Sequence, residues 1–353
     1  MDPLSLDTVA LSQDKQKLII LDQTLLPGEV KYLALSRIED IRESICALRV
    51  RGAPAIGVAA AYGLYLAAAQ TDTQDLDVFC AAVHTAKERL NSARPTAVNL
   101  SWALERMERV ILEGRSGMTV PALIARLLQE AEAIHSEDIA ISRSIGRLGL
   151  GLLRHGDGIL THCNAGTLAT AKYGTALAPI YAALEDGWTD LRVYCDETRP
   201  LLQGARLTAF ELQSAGVDTT LICDNMASIT MARGKVDIVF VGCDRVCANG
   251  DFANKVGTSG VAILARHYGI PFYVCAPSST IDMGLPSGDH IVIEERASQE
   301  VTELWYARRM APEGVKVDNP AFDVTDHTLV TGIITEKGIA YPPFSLAFQQ
   351  FGF

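Results

Sequence analysis

The chain has 353 residues, 48% of them hydrophobic and 21% charged, with a formal net charge of −11. That composition suits a globular protein with a substantial core and room for two domains. The negative balance argues against general affinity for nucleic acid, and any anionic ligand must be held by local groups against the overall field.

The opening stretch, MDPLSLDTVALSQDKQKLIILDQ, lacks a basic flank followed by an apolar core, so no signal peptide is expected. KLIILDQTLLPGEVKYLAL reads as a small antiparallel strand pair turning at Pro27 and Gly28. Mostly helical segments follow up to Gly114. The richest apolar run among them, AIGVAAAYGLYLAAA, is too short and too rich in Ala and Gly for a membrane span and fits a buried helix. Residues 120–153 keep helical periodicity and lead into a second domain. The expected division is a mainly helical domain with a small β-sheet over residues 1–130 and a catalytic domain over 131–353.

From there apolar β-rich runs alternate with amphipathic helices. GILTHC reads as a strand followed by a helix to about Glu185. LRVYCDE, TTLICDN, VDIVFVGCDRV and PFYVCAP read as further strands, separated by helical stretches such as LLQGARLTAFELQSAG and GTSGVAILARHYG. This alternation implies an α/β fold with a parallel sheet and right-handed crossovers.

Four of these strands end in a cysteine followed at once by a polar residue: Cys163-Asn164, Cys195-Asp196, Cys223-Asp224 and Cys243-Asp244. In an open parallel sheet, ligands bind beyond the carboxyl ends of the strands. Any one pair is explained as a packed thiol before a helix cap; four pairs on one rim favour a site. The remaining cysteines are Cys46, Cys80, Cys247 and Cys275. With no CxxC pair, the eight read as reduced thiols of a cytoplasmic protein. Zinc is disfavoured, because the strand-end cysteines are 20 or more residues apart and His162 and Cys163 would point to opposite faces of a strand. No GxGxxG follows a strand and no GxxxxGK[ST] occurs, which disfavours a dinucleotide or ATP enzyme.

Anion binding is better supported. NAGT after Cys163 offers backbone N–H groups where a helix is expected to start. RGAPAIG combines Arg51 with a glycine and a helix start. Arg94, before Pro95, lies in a loop ahead of a helix, where a surface arginine is the plainer account. NGDFANKVGT reads as a polar loop whose Lys255 is either solvated or within reach of a phosphate.

Taken together, RGAPAIG, NSARPTAVNL, HCNAGTLAT, DETRPLLQGARLTAFEL, CDNM and GCDRVCANGDFANKVGT, in this order along nearly the whole chain, resemble the methylthioribose-1-phosphate isomerases. That family belongs to a superfamily with ribose-1,5-bisphosphate isomerase and the regulatory subunits of a translation-initiation nucleotide-exchange factor. The resemblance implies a homodimer in which a small N-terminal domain accompanies a Rossmann-like C-terminal domain. It also implies an aldose–ketose isomerisation of 5-methylthioribose 1-phosphate, in methionine salvage, without metal or organic cofactor. Its catalytic pair falls on Cys163 and Asp244. Its substrate-binding residues fall on Arg51, Gly52, Ala53, Arg94, Gln203, Asn254 and Lys255. Two alternatives stand beside it: a ribose-1,5-bisphosphate isomerase, and a regulatory binding protein of the initiation-factor type with no chemistry.

Overall fold

The computed structural model describes residues 7–94 and 97–353. The chain divides into two compact units. One holds the residues up to Arg143 together with Gly166–Gly174; the other holds Ser144–Ala165 and Thr175–Phe353.

In the first unit, β1 (Val9–Leu11), β2 (Leu18–Leu21) and β3 (Tyr32–Leu35) form an antiparallel sheet in that order. The β2–β3 pair is the one legible around Pro27 and Gly28; β1, at three residues, is too short to show an alternating pattern. Four helices follow: α1 (Ile38–Cys46), α2 (Ala53–Ala69), α3 (Leu76–Asn91) and α4 (Val98–Gly114). The α2 helix is apolar around its whole circumference, so it is buried and the others pack about it. Gly57 lets α4 come close, because a Cβ there would stand 3.0 Å from the Asn99 carbonyl oxygen. The α3 helix begins at Asp75, whose carboxylate accepts the N–H groups of Asp77 and Val78. The long α5 (Val120–Leu150) starts in this unit and carries the chain into the other.

The second unit alternates as its sequence suggests. Its principal elements are β4 (Gly158–Thr161), α6 (Ala178–Glu185), β5 (Arg192–Asp196), α7 (Ala209–Ser214), β6 (Asp218–Ile222), α8 (Ala227–Ala232) and β7 (Ile238–Val241). Next come β8 (Arg245–Cys247), β9 (Phe252–Lys255), α9 (Thr258–Tyr268), β10 (Phe272–Cys275), β11 (Ile281–Asp282) and α10 (Gln299–Thr302). The chain ends with β12 (Phe322–Thr325), β13 (Gly332–Thr335), β14 (Gly338–Ala340) and α11 (Phe344–Gln350). A seven-stranded sheet runs in the order β14-β13-β10-β7-β4-β5-β6, parallel throughout except for β13 with β14. Every residue of β4, β7, β10 and β13 is buried, which is why they read as unbroken apolar runs.

Three local expectations are corrected. No helix starts at NAGT: Thr167–Ala169 is a single 3-10 turn, Tyr173 and Gly174 take left-handed φ of 69° and 80°, and the helix begins only at Ala178. VDIVFVGCDRV is two strands rather than one, since β7 leaves the sheet at Gly242 and β8 joins a second sheet of order β11-β8-β9-β12. The stretch read as a polar loop around Asn254 and Lys255 is the strand β9, with both side chains buried. Among the described residues no helix is long and apolar enough to cross a membrane.

The strand order holds the functional information. From β4 the chain builds outward through β5 and β6, then returns to the opposite side of β4 and builds outward again through β7, β10 and β13. The order therefore reverses between β4 and β7. Connections leaving the two strands diverge, the arrangement at which open α/β sheets bind ligands.

The start of β4 is tightly constrained. A Cβ on Gly158 would lie 1.8 Å from the Lys235 carbonyl oxygen, a backbone atom that cannot swing away. Gly158→Ala should therefore lower the thermal midpoint by the equivalent of about 1–3 kcal/mol, the usual cost of overpacking. An unchanged midpoint would show that β4 and the Lys235 turn can separate without penalty.

Candidate active site

Cys163 follows β4 by two residues and Asp244 follows β7 by three. The strands pair directly, with Leu160 opposite Val239, so both side chains belong to loops at the carboxyl ends of neighbouring strands at the order reversal. Gly242 allows the loops to approach, because a Cβ there would stand 2.6 Å from Ala165 Cβ. Asp244 is anchored through its N–H, which donates to the Ala253 carbonyl at 2.9 Å.

Cys163 has left the strand. Its φ is +68°, a region that residues with a Cβ rarely adopt, so strand alternation with His162 does not apply. Its N–H donates to Thr198 Oγ1 at 2.9 Å, and its carbonyl accepts from Thr208 Oγ1 at 2.6 Å. Asn164 is buried and donates from Nδ2 to Thr208 Oγ1 at 3.1 Å and to Glu211 Oε1. Glu211, fully buried, also accepts from the Tyr181 hydroxyl at 2.8 Å.

His162 is buried beneath this loop. Its Nδ1 lies 2.9 Å from Asp196 Oδ2, and its Nε2 lies 2.9 Å from the Val256 carbonyl oxygen. A carbonyl oxygen only accepts, so Nε2 carries a hydrogen. Burial works against charge on the ring, but the Asp196 carboxylate and the Val256 carbonyl outweigh it and hold the imidazole pKa above its ordinary 6.5. The ring joins two of the segments singled out in the sequence, since Val256 follows Lys255 at the end of β9. It also explains Gly257: with φ of +104°, a Cβ there would strike the imidazole at 2.8 Å.

The other sequence-derived positions divide between the units. In the larger unit, Gln203 is buried, and its Oε1 has no hydrogen-bond partner. Asn254 Nδ2 donates to Thr258 Oγ1 at 3.0 Å. Lys255 is no solvated lysine: its ammonium donates to the Ala321 carbonyl at 2.8 Å and stands 4.7 Å from the Phe322 ring centre. In the smaller unit, Arg51, Gly52 and Ala53 form the start of α2. Gly52 caps it at φ of +92°, and a Cβ there would lie 2.4 Å from the Ala169 carbonyl oxygen, so the RGA turn rests on the TLAT segment. Arg94 is half-buried in the loop between α3 and α4; Pro95, which marked that loop in the sequence, lies outside the described residues.

The four strand-end cysteines differ in character. Their strands are neighbours in the order β7-β4-β5-β6, so one rim does collect them. Cys195 and Cys243 are packed thiols, with burial pushing their pKa values well above the ordinary range, and so inert. Two sets of side chains among the described residues are close enough to share a cation: His162 with Asp196 and Asp224, and Asp251 with Asp326 and His327. In the first, Asp224 accepts the N–H groups of Thr198 and Arg199 at 2.7 Å, and both His162 nitrogens are engaged by protein acceptors. In the second, both Asp251 oxygens accept protein donors. Each set is accounted for as internal bonding.

The initiation factor 2 subunit family model matches residues 49–342. The chain belongs to that family. Within it the chain is 62% identical to a methylthioribose-1-phosphate isomerase of Symbiobacterium thermophilum, over 99% of this chain and 96% of the relative. It is 54% identical to a 5-deoxyribose 1-phosphate isomerase of Petrotoga mobilis, over 97% of this chain and 98% of the relative. Among solved structures, 5-methylthioribose 1-phosphate isomerase from Pyrococcus horikoshii superposes with a TM-score of 0.92 at 43% identity, covering 99% of this chain and 97% of that one. Sequence reasoning missed the His162–Asp196 pair, Thr198, Thr208 and Glu211. Four of these five residues lie in or beside the DETRPLLQGARLTAFEL stretch, and the buried polar residues of that motif were the available signal.

The buried pair generates a test. With the His162 pKa raised, its contribution to stability is fully present below pH 6.5 and is lost as pH rises through the raised value. Asp196→Ala should cost about 3–5 kcal/mol at pH 6, the usual consequence of breaking a buried pair. The gap from the parent should narrow at higher pH. Denaturant unfolding across pH 6–9 reads both; a gap that does not change with pH would contradict the assignment.

Proposed function

We propose that the chain isomerises 5-methylthioribose 1-phosphate to 5-methylthioribulose 1-phosphate, with Cys163 and Asp244 as the catalytic pair. The observation that carries this reading is the placement of both residues at the carboxyl ends of β4 and β7, where the strand order reverses. The near-full-length similarity to enzymes of that name supports it over a purely regulatory binding role. It makes the chain a sugar-phosphate isomerase of methionine salvage, and we take it to act as a cytoplasmic homodimer.

The chemistry asks for this equipment. The anomeric oxygen of the substrate carries phosphate, so the ring cannot open as a free sugar does. Opening breaks the C1–ring oxygen bond and needs a proton on that oxygen. Forming the ketone removes a proton from the C2 hydroxyl, while the hydrogen on C2 moves to C1. One carboxyl group can serve both oxygens: Asp244 gives its proton to the ring oxygen and takes one from the C2 hydroxyl. Cys163 stands beside the migrating centre. Arg51, Gly52, Ala53 and Arg94 hold the phosphate through charge-assisted and backbone hydrogen bonds. Gln203 has a buried acceptor ready for a substrate hydroxyl, and Asn254 and Lys255 complete the binding set. No metal or organic cofactor takes part, so turnover should survive exhaustive chelation; loss restored only by a metal would overturn that part of the reading.

The second reading is 5-deoxyribose 1-phosphate as substrate, favoured by several relatives of that name at 53–55% identity. The two sugars differ only in the methylthio group at C5, remote from the reacting carbons. Incubating the purified protein with each sugar phosphate, and with ribose 1,5-bisphosphate, and reading ketose by NMR tests the three directly. Cys163→Ser and Asp244→Asn should each lower turnover by at least about a hundredfold, the lower range for a positioned acid or base, with little change in thermal midpoint. Parental turnover in either variant would remove that residue from the pair. Arg94→Ala should lose about 1.5–3 kcal/mol of transition-state binding, the worth of a hydrogen bond to a charged group; unchanged kcat/KM would return Arg94 to the role of a surface arginine.

A further inference from the structure

A residue with a Cβ at φ of +68° stays there only when its surroundings hold it. At Cys163 the holding groups can be named. Neither main-chain polar group of this residue is bonded through the sheet ladder; the N–H is taken by the Thr198 hydroxyl and the carbonyl by the Thr208 hydroxyl. Both threonines are fully buried, so no water competes for these bonds. We propose that Thr198 and Thr208 are positioning residues, a pair of hydroxyls that clamp the Cys163 main chain and thereby aim its thiol. The proposal rests on the reading of Cys163 as a catalytic residue.

Each hydroxyl is oriented by its own neighbours. Thr198 Oγ1 donates its hydrogen to the Asp196 carbonyl at 3.0 Å, which leaves lone pairs for the Cys163 N–H. Thr198 is itself left-handed, at φ of +64°, and its N–H is fixed on Asp224 Oδ1 at 2.7 Å. Thr208 Oγ1 accepts from Asn164 Nδ2, so its single hydrogen is directed to the Cys163 carbonyl. Thr208 closes a π-helical turn, Gly204–Thr208, of the kind found at functional sites. Gly204 lets that turn sit against the end of β5: a Cβ there would lie 1.6 Å from the Asp196 carbonyl oxygen and 2.9 Å from Thr198 Oγ1. The π turn, the glycine and the two hydroxyls thus form one frame around one residue.

Paired substitutions separate aiming from packing. Thr→Val keeps the volume and removes the hydroxyl; Thr→Ser keeps the hydroxyl and removes the methyl. Thr198→Val and Thr208→Val should each lower kcat by about tenfold to a hundredfold, the range expected when a reacting group is displaced by up to an ångström, while KM stays within about twofold. Thr198→Ser and Thr208→Ser should restore most of the rate. The alkylation rate of Cys163 by iodoacetamide, read on its own peptide by mass spectrometry, should change in the valine variants and return in the serine variants. If a valine variant does not fold, the alanine variant at the same position removes the same hydroxyl and is read in its place. Parental kcat and alkylation in the valine variants, or loss in the serine variants alone, would overturn the clamp. Cys163→Ser is run alongside: parental turnover there would overturn the catalytic role of the thiol, and the alkylation rates would still decide whether the hydroxyls hold it.

Discussion

One topological constraint underlies the rest of the structure, the reversal of strand order between β4 and β7. A parallel sheet that grew in one direction would cover the end of every strand with the connection to the next. Because β5 lies on one side of β4 and β7 on the other, the chain leaves the two central strands in different directions, and their carboxyl ends are left to carry side chains. The segments that follow them are locally irregular, and each carries a cysteine followed by a polar residue: Cys163 and Asn164 after β4, Cys243 and Asp244 after β7. Their irregularity is bounded by buried, fully paired strands, and rigidity beneath is what lets a strained residue persist above.

Most of the polar groups around these loops are bonded to one another, Asp196 Oδ1 and Gln203 Oε1 being the exceptions. His162 ties the end of β4 to Val256, Glu211 collects Asn164 and Tyr181, and Asp224 fixes the turn at Thr198 and Arg199. Such a network is costly when incomplete and specific when complete. Asp224 and Glu211 are thereby committed to protein donors.

Much of this was legible in the sequence. The parallel strands announce themselves because burial on both faces demands continuous apolar runs, and the helices because their periodicity changes with them. The strand-end cysteines drew attention to one rim of the sheet, where the structure does gather them, and the motif resemblance singled out two of the same loops. What the sequence withheld depends on distant partners. The His162–Asp196 pair spans 34 residues, and nothing local distinguishes it from two unrelated polar side chains. The β9 strand reads as a loop because Asn254 and Lys255 are polar, and only their buried partners make a strand of them. NAGT reads as a helix start because Gly and Thr suit one; the left-handed backbone at Tyr173 and Gly174 postpones the helix. A left-handed cysteine has no sequence signature, since the residue type that normally marks that conformation is glycine.

In the proposed mechanism a thiol and a carboxyl, brought to one rim by the reversal of strand order, meet the same two carbons of one bound sugar phosphate. A crystal structure of the protein soaked with the ketose product tests this most directly. C1 and C2 are expected within about 4 Å, van der Waals contact, of both the Cys163 Sγ and the Asp244 carboxylate. A product bound with its reacting carbons beyond reach of either side chain would contradict it.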